Sequence, residues 1–327
     1  MATNSAISFT STLLNIIGLF TTVSVFTKVF SLLRSYLHSS KLSRYAHLSL
    51  NGESPWAMVT GASDGIGCAL VQELAGHGFN VTVVELQRSF PERSFKVIVA
   101  DANNVACVNC LKTHRQGSSN DAPLDFATIK NALDGLHLTV LMNNVGGNPV
   151  PPIFVPLRDK TEVKLSENVS LNALFPLHLT RTLLPNLLQN APSLLINVST
   201  MADQGLPLLA SYSASKQFLL TLTSTLRLEM MLEGTIGDIE ILGVRTGRVT
   251  GVAGYKESPS LFVPDTKTFA RAVLAHAGHG SGIVVGYWAH MIQHFMGSLM
   301  PPWVADRVMV SIMRSNAEWE LKTNKEA

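Results

Sequence analysis

The stretch Trp56-Ala57-Met58-Val59-Thr60-Gly61-Ala62-Ser63-Asp64-Gly65-Ile66-Gly67 decides how this chain folds. Its first five residues form an apolar run of strand length, and Leu70, Val71, Leu74 and Ala75 follow at helical spacing. Between strand and helix lies a glycine turn. Glycine lets backbone come close to a pyrophosphate, and the free amides that open a helix carry partial positive charge. Thr60, Gly61, Ser63, Asp64, Gly65, Ile66 and Gly67 are therefore candidate phosphate-cradling residues, with an ordinary tight turn as the plainer reading.

Working outward, Asn80 to Leu86 reads as a second strand and completes a βαβ unit. A dinucleotide site that takes NAD places an acid where this strand ends, whereas one that takes NADP places an arginine. Here the strand exits through Leu86-Gln87-Arg88-Ser89, so Arg88 points to NADP; in the alternative, Arg88 is a solvated loop charge and Glu85 reaches the ribose. Val97 to Ala100 reads as a third strand, with Asp101 just after it on the adenine side. Leu138 to Met142 reads as a fourth and runs into Asn143-Asn144-Val145-Gly146. Asparagine side chains bond backbone amides in turns, which makes Asn144, Val145 and Gly146 a candidate cofactor floor. Strands alternating with helices predict an α/β fold, a Rossmann-type doubly wound parallel sheet with helices on both faces.

Ser193 to Ser199 is a further apolar strand, and beyond it comes Tyr212-Ser213-Ala214-Ser215-Lys216. Tyr212 and Lys216 stand four apart at the start of a helical pattern, so both side chains address one face. A free tyrosine titrates near 10, too high for easy proton exchange at neutrality. A neighbouring ammonium stabilises the phenolate and makes the phenol a usable general acid.

Taken together, Thr60-Gly61 through Gly67, Asn143-Asn144-Val145-Gly146, Ser199, Tyr212 and Lys216 resemble the short-chain dehydrogenase/reductase family over Trp56 to about Thr250. The resemblance implies that Tyr212 and Lys216 are catalytic, that Ser199 holds the substrate carbonyl, that Lys216 also bonds the nicotinamide ribose and that Asn172 holds a proton-relay water. It also implies homodimers. Aligning Asn197 with the family's usual asparagine selects Thr200 instead of Ser199, and that alternative stays open. Relatives carry proline-glycine and then threonine beside the nicotinamide. This chain reads Thr246-Gly247-Arg248-Val249-Thr250-Gly251, which puts Val249 at the cofactor. Within the family the chain is similar to microsomal very-long-chain 3-oxoacyl-CoA reductases and hydroxysteroid dehydrogenases, which implies reduction of a lipid-like ketone with NADPH at the endoplasmic reticulum membrane.

The rest of the chain bears on setting. Hydrophobic residues make up 46% and charged residues 15%, too apolar for disorder. The net charge of +2, with no basic stripe, excludes nucleic acid as a partner. From Met1 to Thr27 there is no charged residue, and Lys28, Arg34, Lys41 and Arg44 follow. That order suits an uncleaved anchor with the catalytic domain in the cytosol. The serines and threonines that dilute the segment can bond back to their own helix. Three cysteines imply no disulfide framework. Cys107, Cys110 and His114 have a metal-like spacing without an evident fourth ligand, and no metal is expected. The sequons at Asn80, Asn168 and Asn197 fall inside the domain pattern and are read as unmodified. Met291, Ile292, Phe295, Met296 and Leu299 recur at helical spacing, as a core face, an acyl-chain groove or a membrane-resting surface. The expected organisation is a membrane anchor over 1–30, a basic linker over 31–55, an NADP-binding catalytic domain over 56–265, an apolar helical extension over 266–315 and a loose polar tail over 316–327.

Overall fold

The computed structural model describes residues 36–81, 93–103, 105, 124–148, 152–252 and 257–326, together with part of the stretch 12–30. Two compact units divide the chain, Met1–Ser40 and Lys41–Ala327.

In the larger unit strands and helices alternate. They are β1 (Trp56–Val59), α1 (Gly65–Gly76), β2 (Asn80–Val81), α2 (Phe126–Leu133), β3 (Leu138–Asn143), α3 (Glu162–Val169), α4 (Phe175–Gln189), β4 (Ser193–Thr200), α5 (Ala210–Glu233), β5 (Ile239–Thr246), α6 (Thr266–Ala275), β6 (Ile283–Val285), α7 (Trp288–Ser298) and α8 (Pro302–Glu326). The sheet has six strands in the order β2-β1-β3-β4-β5-β6, every pairing parallel. A parallel sheet needs cover on both faces, so its strands read as near-continuous apolar runs. All six residues of β3 are buried. Side chains alternate between two cores. Leu194, Ile196 and Val198 of β4, with Leu242 and Val244 of β5, pack with Leu70 and Leu74 of α1 and Phe269 and Val273 of α6. Leu195, Ile239 and Ile241 pack on the other face with Leu179 and Leu183 of α4 and Leu226 and Met230 of α5.

A buried polar chain crosses that second face. Asn143 Nδ2 donates to Thr180 Oγ1 at 2.9 Å and to Asn197 Oδ1 at 2.8 Å, and Asn197 Nδ2 donates to Thr223 Oγ1 at 2.9 Å. It ties β3 and β4 to α4 and α5 in one register, because any slip would leave buried amides unpaired. Asn80, Asn168 and Asn197, the sequon asparagines, are all buried.

The structure differs from the sequence reading in several places. No strand forms over Val97–Ala100. The chain instead makes a single parallel bridge between Val81 and Phe95, with Val81 N donating to Ser94 O at 3.0 Å. Val97 and Val99 are exposed. Residues 82–92 and 106–123, which include Glu85, Arg88, Cys107, Cys110 and His114, lie outside the described residues. Among the described residues no group of His, Cys, Asp and Glu could hold a metal.

The larger unit also starts earlier than Trp56. Leu42–Tyr45 forms a 3-10 turn with Leu42 and Tyr45 buried in the core. Lys41 N donates to Ala277 O at 3.1 Å, and the Tyr45 hydroxyl donates to Glu240. Glu240 accepts further bonds from Gly278 N and Gly280 N, both at 2.6 Å. The basic residues Lys41 and Arg44 thus belong to a docked segment, with Arg44 Nη2 donating to Gly237 O at 3.0 Å.

At the other end, the tail expected to be loose over 316–327 continues α8 to Glu326. The periodic apolar stripe before it is not a core face. Trp288, Ile292, Met296, Leu299 and Trp303 are exposed, while Ala289 and His290 turn inward. No Asp, Glu, Lys or Arg occurs between Arg271 and Asp306.

In the smaller unit, residues 15–24 are helical and their large apolar side chains are exposed, among them Ile16, Leu19 and Phe20. Thr21 and Thr22 donate back to Ile17 O and Gly18 O, both at 2.8 Å. Among the described residues no helix is long and apolar enough to cross a membrane.

Candidate active site

The site forms at the carboxyl ends of β1, β3, β4 and β5, where open α/β sheets bind ligands. Thr60 follows β1 and joins it to the turn after β3. Its hydroxyl donates to Met142 O at 3.3 Å and accepts from Asn144 N and Val145 N, both at 2.9 Å. Asn144 Nδ2 returns a bond to Thr60 O at 2.9 Å. The glycines around this clasp are required by space. A Cβ on Gly67 would sit 2.0 Å from Gly61 O, and one on Gly61, whose φ is +65°, would meet Val145 Cα at 3.1 Å. Asp64 caps α1, its Oδ1 accepting from Gly65 N at 2.7 Å, and Ile66 packs on the core. Gly61, Ser63 and Asp64 stay exposed at the opening of that helix. Asp101 is exposed as well and accepts from Asn103 N at 3.0 Å.

Lys216 lies one turn along α5 from Tyr212. The lysine is 4% exposed, and its Nζ donates to Val198 O at 3.0 Å. Burial lowers its pKa to about 8. Tyr212 is half-buried. In the loop before α5, Leu208 adopts φ +68°, a left-handed conformation that costs a non-glycine residue energy and clusters at functional segments. Opposite Lys216, a π-helical turn at Ser170–Leu174 separates α3 from α4 and carries Asn172 at its centre. Such bulges are frequent at functional sites. Asn172 clamps the turn after β3. Its Oδ1 accepts from Gly147 N at 2.9 Å, and its Nδ2 donates to Gly147 O at 2.8 Å and Asn168 O at 2.9 Å. The two side chains meet at Gly146, where a Cβ would lie 2.6 Å from Lys216 Nζ and 2.7 Å from Asn172 Oδ1.

Ser199, the first choice from the spacing, spends its hydroxyl on backbone. The same period of two that turns Leu195 and Asn197 toward α4 and α5 turns Ser199 there too. Its hydroxyl is buried and donates to Lys216 O at 3.0 Å. Thr200 ends the strand half-buried, donating to Thr246 O at 3.2 Å and accepting from Ala202 N at 3.2 Å. Val249 is buried in the core cluster with α1 and α6.

Several residues at the site carry no sequence motif. His290, on α7, is fully buried. Its Nδ1 accepts from Gly247 N at 3.2 Å and its Nε2 donates to Arg248 O at 3.0 Å. A Cβ on Gly247 would strike its ring at 2.7 Å. Burial holds its pKa below the usual imidazole value, so both nitrogens keep these roles as a neutral ring. Asp203 and Arg245 pair beside Thr200, Nε to Oδ2 at 2.7 Å with the carboxylate buried.

A phosphate-type glycine turn, a clasped asparagine turn and a Tyr-Lys pair on one helix define a dinucleotide-dependent oxidoreductase. The chain belongs to the short chain dehydrogenase family, whose match covers residues 55–257. It is 30% identical over 258 residues to a very-long-chain 3-oxoacyl-CoA reductase of Caenorhabditis briggsae, covering 79% of each chain. It is also 30% identical over 295 residues to a very-long-chain 3-oxoacyl-CoA reductase-like protein of Arabidopsis thaliana, covering 85% of each. In fold it is similar to a short-chain dehydrogenase from Sphingobium yanoikuyae solved with NADPH, with a TM-score of 0.55 and 18% identity over 76% of this chain and 97% of that one.

Proposed function

We propose that the protein is an NADPH-dependent reductase of a lipid-like ketone, with the 3-oxo group of a long-chain fatty acyl-CoA as its substrate. The observation that carries this reading is the meeting of Lys216 Nζ and Asn172 Oδ1 at Gly146, one helical turn from Tyr212. The cradle at Gly61, Gly65 and Gly67 fits a pyrophosphate, since a Cβ at 61 or 67 would close it. Arg88 and the NADPH of the Sphingobium protein support the phosphorylated dinucleotide. Bound there, a dihydronicotinamide would supply the hydride for the carbonyl carbon.

The rest of the chemistry falls to side chains of this chain. Tyr212 gives its phenolic proton to the carbonyl oxygen as negative charge develops there. Lys216, an ammonium below about pH 8, stabilises the phenolate left behind. Asn172 holds Gly147 and so fixes the cofactor floor against Lys216. Thr200, at the open end of β4, orients the carbonyl oxygen in place of Ser199. Thr200→Ala is therefore expected to lower kcat/KM by about a hundredfold, the scale of losing one positioned donor. Ser199→Ala is expected to keep activity within about threefold and lower the urea midpoint by the loss of one buried hydrogen bond, about 1 kcal/mol. Steady-state kinetics beside urea titration separate the two.

A steroid or specialised polyketide ketone is the second reading. It is favoured by the loop Thr246-Gly247-Arg248-Val249-Thr250-Gly251, which lacks the proline that relatives carry beside the nicotinamide. The uncharged Met1–Thr27 segment and the exposed stripe from Trp288 to Trp303 support attachment to the endoplasmic reticulum membrane, with residues 1–30 as anchor and the catalytic unit in the cytosol.

The deciding experiment follows NADPH oxidation by detergent-solubilised protein offered a long-chain 3-oxoacyl-CoA and, in parallel, keto-steroids and keto-polyketides. Turnover on the acyl-CoA alone is the expected result. NADPH binding with turnover only on another ketone transfers the assignment to that ketone, and absence of NADPH binding overturns the enzyme reading.

A further inference from the structure

The carboxylate of Glu320, near the end of α8, accepts hydrogen bonds from two successive backbone amides, Ile153 N at 2.6 Å and Phe154 N at 3.0 Å. Glu320 is 8% exposed although it sits on an otherwise largely exposed helix. Neighbouring amides of an extended chain point opposite ways, so their convergence on one side chain means that Glu320 sets the local conformation. Buried amides rarely go unpaired, and the bonds to an ionised acceptor are the strong kind.

The segment held in this way borders a cavity. Pro152 and Val155 line a space of about 430 Å³ that also touches Asn148, Lys160, Asn168 and Ser211, the residue before Tyr212. Asn168 is buried, with its Nδ2 donating to Gly147 O and Asn148 Oδ1, while its Oδ1 has no partner among the described residues. A turn of this amide toward the cavity would present that oxygen to a ligand N–H or O–H. The lining mixes Lys160 and Lys164 with Asp101, Asp159 and Glu167. Such a balance suits a neutral chain with amide groups better than a phosphate.

We propose that this cavity receives the amide-bearing pantetheine arm of a thioester substrate, and that Glu320 is the positioning residue that sets its wall. The inference rests on the acyl-CoA reading above and gives the carboxyl-terminal helix a part in substrate selection.

The test compares one 3-oxoacyl chain presented as its pantetheine thioester and as its ethyl ester, with the full-length protein and its Glu320→Ala and Glu320→Gln variants. Glu320→Ala is expected to raise KM for the thioester by about tenfold and leave KM for the ethyl ester and both kcat values within about twofold. Glu320→Gln keeps the volume and one acceptor, and should give a smaller rise of the same kind. Hydrogen exchange at Ile153 and Phe154 should quicken in both variants. Equal KM changes for the two esters, or a fall in thermal stability without a KM change, would reduce Glu320 to a structural brace and overturn the proposal.

If the parent reduces neither ester, the acyl-CoA reading fails, and calorimetry with pantetheine alone decides the cavity. Saturable binding that Glu320→Ala weakens sustains the proposal, and no binding to the parent ends it.

Discussion

Tyr212→Phe is expected to lower kcat by about a thousandfold, within the range a positioned general acid contributes, while the dissociation constant for NADPH stays within about threefold. The asymmetry follows from the site. The change removes one oxygen from a half-buried side chain and leaves untouched the groups that shape the cofactor cradle, namely Thr60, Asn144 and the glycines. A thousandfold loss corresponds to about 4 kcal/mol of barrier, more than a hydrogen bond to the ground-state carbonyl would supply. Fluorescence titration of NADPH beside single-turnover kinetics measures both quantities. Turnover that survives the change would remove Tyr212 from the chemistry.

Lys216→Met should move activity and stability in opposite directions. Lys216 is an ammonium held out of water, donating to Val198 O. Its pKa falls from 10.5 to about 8 because burial disfavours the charged form. Between those two values the unfolded chain binds the proton and the folded chain does not. The lysine's contribution to stability therefore rises with pH from about 8 to about 10.5, and the full penalty is present below about 8. At neutral pH that penalty is on the order of 3 kcal/mol. Methionine fills similar space without charge, at the cost of leaving Val198 O unpaired, about 1 kcal/mol.

A net gain of about 2 kcal/mol, or several degrees in Tm, is expected, together with a loss of turnover of about a hundredfold or more. The gain should shrink as pH rises from 8 toward 10.5. Thermal denaturation of both proteins across that range checks the sign, and a variant less stable than the parent at pH 7 would contradict it. A gain of that kind would mean that the parent gives up stability at Lys216 for the sake of function.

Lys216 was legible as a position but not as a buried charge. Helical periodicity of four places Tyr212 and Lys216 on one face whatever surrounds them, and the apolar runs at Trp56, Leu138 and Ser193 specify buried parallel strands because such strands must be apolar on both faces. The glycine turn was legible for the same local reason. Between Ser199 and Thr200 that reasoning leaves the choice open. Spacing along the chain to Tyr212 favoured Ser199, but strand parity turns its hydroxyl into the interior toward Lys216 O. Parity is decided by which neighbour pairs with which, and that pairing joins residues far apart in sequence.

Long-range partners account for the other differences as well. The segment expected to be a strand at Val97 keeps, among the described residues, the bridge from Phe95 to Val81, the linker segment at Leu42 finds a slot beside Glu240, and the polar tail becomes helix with Glu320 docked on Ile153 and Phe154. Nothing near Glu320 in the chain marks it as special, because what it touches is supplied by a distant segment. The sequence by itself determined the doubly wound frame, the glycine cradle and the Tyr212–Lys216 pair, all of which arise from periodicities within one element or across one turn. Only the tertiary structure decided which hydroxyl ends β4 at the open edge, which histidine holds the loop after β5 and which face of α7 stays bare, since burial and hydrogen-bond partners are properties of the assembled layers.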